Sequence, residues 1–575
     1  MRVLTLERAG AARRPGTLLT DAVIFAGGLA TLYAVLGIGR NWLAPARPAA
    51  EITLAASALP LYAFYSLWRM ALAYAASLLF ALGYGWVAAR NRAAERLLIP
   101  LLDILQSIPV LSFLPGVMVA MVALFPGREI GLELGSILLI FTGQVWNMAF
   151  SFYASLKGLP RELTEAATTY RFGAWQRFYQ LELPAGAIGL VWNSMMSVAG
   201  GWFFLMACEM FQLGNRDFRL PGLGSYLQTA ANAGDLPAII WGLVAMIAVI
   251  LLLDQLVWRP LIVWAEKFKF EQVESTQAPR SAVLAALRKS AALGWLWRRA
   301  FGPAWEELTL RFARREQAGP AKEANAWRPL VARGAGVAAV ALALYGTMRA
   351  GHILMGLTGS ELSLLAHGAA ATFLRVVAAL VVGLLWTVPV GVTVGLRPRL
   401  AALVQPVAQV AASVPATALF PVLLLVLIRL GGGMGLAAIL LMLLGTQWYL
   451  LFNVIAGAQA IPTDLLEAAR LFRINGWQRW RLLILPGIFP YLVTGLVTAA
   501  GGAWNASIVA EYSRFQGRVL ATTGLGAIIS EATEAGDFNL LLASTVAMAV
   551  IVVTINRLLW KRLYGLAQTR FRLEA

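Results

Sequence analysis

From Pro160 to Pro184 the chain reads PRELTEAATTYRFGAWQRFYQLELP, and from Pro462 to Pro486 it reads PTDLLEAARLFRINGWQRWRLLILP. The second stretch begins 302 residues after the first, and no gap is needed to align them. Twelve of the 25 positions are identical: Pro160, Leu163, Glu165, Ala166, Ala167, Arg171, Trp175, Gln176, Arg177, Leu181, Leu183 and Pro184, each with its counterpart. Such agreement at one fixed spacing marks an internal repeat, and finding it first decides how the rest of the chain is read.

The same offset pairs Gly143 with Gly445, Trp146 with Trp448, Trp202 with Trp504, Glu209 with Glu511, Arg216 with Arg518 and Asp235 with Asp537. It also pairs Gly222 and Gly224 with Gly524 and Gly526. Upstream the offset becomes 306, which pairs Arg69 with Arg375, Pro100 with Pro406, Pro109 with Pro415 and Pro115 with Pro421. The 575 residues therefore divide into two related halves that differ by four residues in length.

Those halves are too apolar for a water-soluble globule. Hydrophobic residues make up 59% of the chain and charged ones 13%, at a mean hydropathy of +0.70, which points to the bilayer as solvent. Apolar runs long enough to span fall near 18–38, 61–89, 97–125, 131–157, 186–212 and 237–264. A second set falls near 334–354, 370–396, 401–428, 434–460, 487–512 and 538–564. In hydrocarbon each backbone N–H and C=O must be satisfied within its own segment, so the expected fold is all-α, with about twelve transmembrane helices in two parallel six-helix repeats. The domain reading is 1–264 and 329–575 for the two repeats, joined by a basic linker over 265–328. Arg2, Arg8, Arg13 and Arg14 ahead of the first run imitate a secretion signal, but the run is long enough to cross and is read as an uncleaved first span.

Lys and Arg number 47 against 29 Asp and Glu, a net charge of +18. Basic loops on one side of a membrane explain this excess better than nucleic acid does. Arg90, Arg92 and Arg96 follow the second run; Lys157, Arg161, Arg171 and Arg177 follow the fourth; the linker follows the sixth. Arg397 and Arg399, then Arg470 to Arg481, then Lys561 and Arg562 repeat the pattern. That side is read as cytoplasmic, with both termini on it, and an even number of spans per half gives the halves one orientation. Within the linker, Ser281 to Phe301 mixes Leu, Trp and Arg at helical intervals and suits either a surface-lying amphipathic helix or a solvated connector. Cys208 has no partner cysteine, and His352 and His367 lack metal-ligand spacing, so no metal is expected.

Glu165-Ala166-Ala167 followed by Leu183-Pro184, and Glu467-Ala468-Ala469 followed by Leu485-Pro486, resemble the ATPase-coupling loop of bacterial ABC importer permeases. Trp-Gln-Arg within the loop and the later Glu209 with Gly222-Leu223-Gly224, repeated as Glu511 with Gly524-Leu525-Gly526, narrow the resemblance to the nitrate, sulfonate, taurine and bicarbonate class. It covers nearly the whole chain outside the linker. The resemblance implies a fused double permease of the type I importer kind in the bacterial inner membrane. Its partners would be two copies of an ABC ATPase subunit that bind ATP and Mg, and a periplasmic or lipid-anchored solute-binding protein. It assigns the coupling role to Glu165, Ala166, Ala167, Arg171, Trp175 and Pro184 and to Glu467, Ala468, Ala469, Arg473, Trp477 and Pro486. In one place the pattern departs from the family. Glycine is usual six residues after the Glu, whereas this chain has Arg171 and Arg473, with Gly173 and Gly476 displaced, which leaves the bend of the loop open.

The residues themselves fit a docking element. Pro160 suits a helix start, Glu162 and Glu165 sit where the macrodipole favours negative charge, and the alanines leave a low-relief surface from which Trp175 or Trp477 can project. A Gly-x-x-x-x-Gly-Lys-Ser/Thr phosphate loop is absent from the sequence, so cofactors are expected on partner subunits rather than on this chain. Ionisable groups at membrane depth are the first pathway candidates. Glu209 and Glu511 end the fifth runs, where they either line a pathway or pair with Arg216 and Arg518. Arg69 and Arg375 either meet an anionic solute or snorkel to headgroups. Trp146, Trp448, Trp202 and Trp504 either line the pathway or pack between helices. The expected function is uptake of a small anionic solute by alternating access driven by partner ATPases. An ion-gradient-driven secondary transporter with parallel repeats is the alternative, and a membrane scaffold needs no pathway at all.

Overall fold

The computed structural model describes residues 51–268 and 351–570 apart from 214–215 and 516–517, together with scattered positions between 281 and 348. The first expected run of the first half lies outside the described residues, as do most of the 334–354 run, most of the proposed amphipathic stretch and nearly all of the linker.

The first half comprises α1 (Leu59–Arg90), α2 (Arg92–Ser107), α3 (Leu114–Leu124), α4 (Ile130–Lys157), α5 (Arg161–Thr169), α6 (Ala174–Arg177), α7 (Leu183–Glu209), α8 (Leu223–Ala233), α9 (Leu236–Leu253) and α10 (Arg259–Ala265). The second repeats it as α11 (Gly359–Gly395), α12 (Pro398–Ser413), α13 (Ala416–Arg429), α14 (Met434–Gln459), α15 (Thr463–Leu471), α16 (Gly476–Arg479), α17 (Leu485–Ala510), α18 (Leu525–Ala535), α19 (Phe538–Ile555) and α20 (Lys561–Arg570). Each half adds one short antiparallel hairpin, pairing Gln212 with Asp217 in the first and Tyr512 with Ala521 in the second. The described chain is thus all-α apart from these ribbons, as the apolar runs require.

Among the described residues eight helices are long and apolar enough to cross a membrane, including Ala56–Arg90, Ile130–Lys157 and Ala174–Glu209 in the first half. The second, fourth, fifth and sixth runs of each half are those eight. The expected third spans are not continuous. In the first half a 3-10 turn, Val110–Phe113, separates α2 from α3, and in the second α12 stops at Ser413 before α13 restarts at Ala416. The cause is local: Ile108 and Val414 precede Pro109 and Pro415, and the proline ring drives them out of the helical region, to ψ of 124° and 118°. The freed backbone is satisfied across the molecule, where Val110 N–H donates to Asn505 Oδ1 of the other half (2.7 Å).

Among the described residues four segments of π-helix interrupt the long helices. Phe178–Glu182 joins α6 to α7 and Trp480–Ile484 joins α16 to α17, while Asp254–Trp258 and Asn556–Trp560 lie within the last span of each half. Both pairs keep the 302-residue offset, so an unusual backbone feature is repeated where the side chains differ. The largest apolar cluster draws on both halves, with Met118, Leu139 and Trp202 from one and Phe420, Leu441 and Trp504 from the other.

Candidate functional site

The duplicated loop folds as a short helix, a tight turn and a second helix that leads into a span. Pro160 and Pro462 cap α5 and α15 at φ of −54° and −55°, and neither helix exceeds nine residues. Both end in a Schellman turn: Phe172 N–H donates to Ala167 O (2.9 Å) and Arg171 N–H to Thr168 O (3.0 Å), with Ile474 to Ala469 (2.8 Å) and Arg473 to Arg470 (3.1 Å) in the other copy. The residue after the cap must then be left-handed. Arg171 and Arg473 take it at φ of 52° and 53°, the only two non-glycine residues with positive φ among those described. The bend that glycine usually makes is therefore retained with arginine in its place.

Ala167 and Ala469 are buried, whereas Glu165, Glu467, Arg171 and Arg473 are exposed and Ala166 and Ala468 half-buried. Tyr170 is 76% exposed, and the second loop presents Leu471, Phe472 and Trp477 in the same manner. Trp175 differs from Trp477: it is half-buried beside Phe178, with ring centroids 6.0 Å apart. Pro184 and Pro486 occupy the first turn of α7 and α17.

Beneath the loops the halves part company. Glu182, 3% exposed, accepts from Trp86 Nε1 (3.1 Å), Arg90 Nη2 (2.9 Å) and Arg177 Nε (3.1 Å). In the second half the corresponding positions are Val392, Leu396 and Ile484, which belong to one apolar cluster, and Arg479 Nε is buried with no hydrogen-bond partner among the described residues. Sequence reasoning passed over Glu182 because the offset comparison rewards identity.

At the opposite end of α7, about 40 Å away at 1.5 Å per residue, the paired glutamates and arginines meet. Arg69 donates through Nη1 to Glu209 Oε1 (2.8 Å) and to Pro221 O (2.8 Å), and through Nε and Nη2 to both oxygens of Glu133 (2.6 and 2.8 Å). Arg375 Nη1 donates to Glu511 Oε1 (2.8 Å) and Thr523 O (2.6 Å). Each glutamate also accepts from a hydroxyl, Ser66 (2.7 Å) or Thr372 (2.8 Å), and from the N–H of Gly224 (2.7 Å) or Gly526 (2.9 Å). Gly222 and Gly524 are explained by this contact, since a Cβ on either would collide with the carboxylate. Arg69 is 1% exposed, so it neither snorkels nor stands open to solute, and it pairs with Glu209; the side chain of Arg216 lies outside those described. The network locks α1, α7 and α8 together. Glu133, which completes it, was missed; a lone carboxylate inside an apolar run was the available sign.

Trp202 and Trp504, each 2% exposed, are core residues. Trp448 packs edge-on against Trp386 (6.5 Å), and Trp146 is half-buried. Among the described residues no group of three His, Cys, Asp or Glu could hold a metal ion.

The profile of the family described as binding-protein-dependent transport system inner membrane component matches residues 81–257 and again 376–572, together more than half of the chain. The chain is 29% identical over 182 residues to the taurine transport system permease protein of Escherichia coli (strain K12), covering 32% of this chain and 62% of that protein. It is 27% identical over 201 residues to a nitrate import permease protein of Leptolyngbya laminosa, covering 35% and 67%. It is 32% identical over 124 residues to a bicarbonate transport system permease protein of Synechococcus elongatus (strain ATCC 33912 / PCC 7942 / FACHB-805), covering 22% and 43%. The matches thus span from under half to two thirds of the relatives' length.

Proposed function

We infer what this chain does from the fact that it belongs to the family of binding-protein-dependent transport system inner membrane components. It is a multi-pass membrane protein whose relatives are transport permeases rather than enzymes. In our reading it is the whole permease of an ATP-driven importer, two permease units in one chain, with α5 and α15 as the elements that dock partner ATPase subunits. A solute-binding protein delivers the substrate from the other side. Both termini and both docking loops face the cytoplasm, on the strength of the basic residues gathered there.

The observation that carries this reading is the pair of rigid turns. Each docking helix is closed by a Schellman turn and joined through a π segment to a span of more than 25 residues, so a push on the loop reaches the far end of the molecule instead of dissipating in a flexible connection. Approach of the two ATPases would draw the loops together and rock the halves about their shared core, the alternating-access motion. Small anions are the solute class, supported by the taurine, nitrate and bicarbonate named for the relatives.

The test is reconstitution of the chain with its ATPase partner in liposomes. Replacing Glu165 and Glu467 by Lys is expected to lose ATPase assembly and transport-linked ATP hydrolysis while the permease remains folded. Intact coupling in that double variant refutes the docking role, and anion flux by the chain alone, driven by an ion gradient, refutes ATP-driven uptake.

A further inference from the structure

Glu133, Glu209 and Glu511 are all held by arginine, which leaves uncharged groups to meet solute deeper in the membrane. Two such groups occupy equivalent positions of α4 and α14: Asn147 and, 302 residues on, Tyr449. Asn147 is exposed and Tyr449 half-buried, each well inside its helix, of 28 and 26 residues. Neither side chain makes a hydrogen bond among the described residues. Polar groups at that depth face a bundle interior or a watery cavity, since lipid offers them no partner.

The halves meet reciprocally: α9 packs on α12 as α19 packs on α2, and α7 packs on α13 as α17 packs on the Val110–Phe113 turn. Tyr449 reaches from one half to the other. A Cβ on Gly502 of its own half would stand 3.7 Å from its Cε2, and a Cβ on Gly200 of the first half 3.5 Å from its Oη. One phenol ring thus bridges α17 and α7 at two glycines that are themselves equivalent under the 302 offset. The reciprocal position is filled differently, because Asn147 is too short to make such a bridge. A Cβ on Gly501, beside Gly502, would meet no atom within 4 Å. That opening lies on the face turned to the first half: Asn505, one turn further along α17, donates to Gly501 O (3.1 Å) and accepts from Val110 N–H (2.7 Å).

We propose that Tyr449 is the gate of the solute pathway inside the membrane, and that a small oxyanion passes it by way of Asn147 and the opening at Gly501. The phenol hydroxyl and the carboxamide N–H donate to the anion's oxygens in turn. Both are neutral donors, so they replace part of the anion's hydration without the hold of a full charge, and the solute can leave as well as enter. The gate is one-sided, since only the second half places a ring across the interface. The proposal rests on the transport reading for one point alone, that solute crosses between the halves.

Thiol labelling tests it in proteoliposomes of the full-length chain, without ATPase or binding protein, so that its failure is separable from failure of ATP-driven transport. The probe is the membrane-impermeant anion 2-sulfonatoethyl methanethiosulfonate, present on both faces. Cys208, the single native cysteine, is fully buried and supplies the unlabelled background. Gly501→Cys is expected to react roughly tenfold or more faster than Leu385→Cys, an apolar position 71% exposed on the spanning helix α11. Sodium nitrate, against sodium gluconate at equal ionic strength, should slow that reaction by competing for the same groups. Gly200→Cys, covered by Tyr449, should react slowly until Tyr449→Asn is added, and then roughly tenfold faster. Asn147→Tyr in the Gly501→Cys chain should do the reverse and slow it, and this comparison decides if Tyr449→Asn does not accumulate. Gly501→Cys no faster than Leu385→Cys, a rate indifferent to nitrate, or folded Tyr449→Asn and Asn147→Tyr chains with unchanged labelling overturn the proposal.

Discussion

Arg171 and Arg473 sit in a backbone region that costs an L-residue roughly 1–2 kcal/mol, a cost that glycine avoids but partly forfeits through its greater freedom when unfolded. Arg171→Gly and Arg473→Gly are each expected to stabilise the folded chain by about 0.5–1 kcal/mol, read as a higher midpoint in thermal unfolding. Backbone strain retained at an exposed position is a reason to look for a job done by the side chain. The same variants are therefore expected to lower transport-linked ATP hydrolysis despite their stability. Arg69 and Arg375 make a second contrast at this scale. Removing Arg69 strands two buried carboxylates beside each other, so Arg69→Gln should cost about 3–5 kcal/mol in denaturant titration, the range for breaking a buried ion pair. Arg375→Gln strands one carboxylate at a more open site and should cost clearly less. Both arginines and both glutamates stood out in the sequence because they recur at fixed offsets. What the offsets could not show was that they bond to each other, or that Glu133 and Gly435 mark where the halves diverge, since a search for identity passes over such positions.

Hydropathy finds long apolar elements and is blind to what happens inside them. The third runs read as spans because Pro109 and Pro415 barely dent a 20-residue average, although the pairing of the two prolines was visible in the offset. The π segments had no sequence sign at all: Phe178–Glu182 and Trp480–Ile484 share few side chains, yet both widen the helix by one residue where the duplicated loop joins its span. A π turn shifts the register by about 100°, one residue of an α-helix, so it sets which face α6 and α16 present below the loop. The halves hold this joint by different means. Glu182 is clamped by Trp86, Arg90 and Arg177 in the first, and Ile484 packs with Val392 and Leu396 in the second. Glu182→Ile alone leaves Arg90 and Arg177 without their shared partner, but both are about a third exposed and can hydrate, so a loss of about 1 kcal/mol is expected. Combining it with Trp86→Val and Arg90→Leu installs the second half's apolar solution, and the triple variant should recover near wild-type stability in the same thermal assay. A triple variant less stable than Glu182→Ile would show that the two joints are not interchangeable.

Across the whole molecule the repeat makes each half the natural comparison for the other, and the core that joins them belongs to both. Apolar residues of the two halves form one cluster, the break after α2 is satisfied by Asn505 through Val110 N–H, and Thr545 Oγ1 donates to Ser112 O (3.2 Å) beside it. These contacts cross between halves through packing and hydrogen bonds rather than through the connecting chain. Two halves that recognise each other in this way should not need a covalent link to assemble. Co-expression of residues 1–300 and 301–575 as separate chains, with an affinity tag on one, is expected to recover both in equal amount. Asn505→Leu leaves Val110 N–H without its acceptor, at a cost of about 1–3 kcal/mol for a buried unsatisfied group. That is tolerable in the fused chain, where the partner half is always at hand. In the split pair the same cost falls directly on association, which at about 1.4 kcal/mol per tenfold should weaken by roughly five- to a hundredfold. Recovery of the tagged half alone would show that the connecting segment holds the permease together, and equal recovery of split wild-type and split Asn505→Leu would show that the helix break is not where the halves recognise each other.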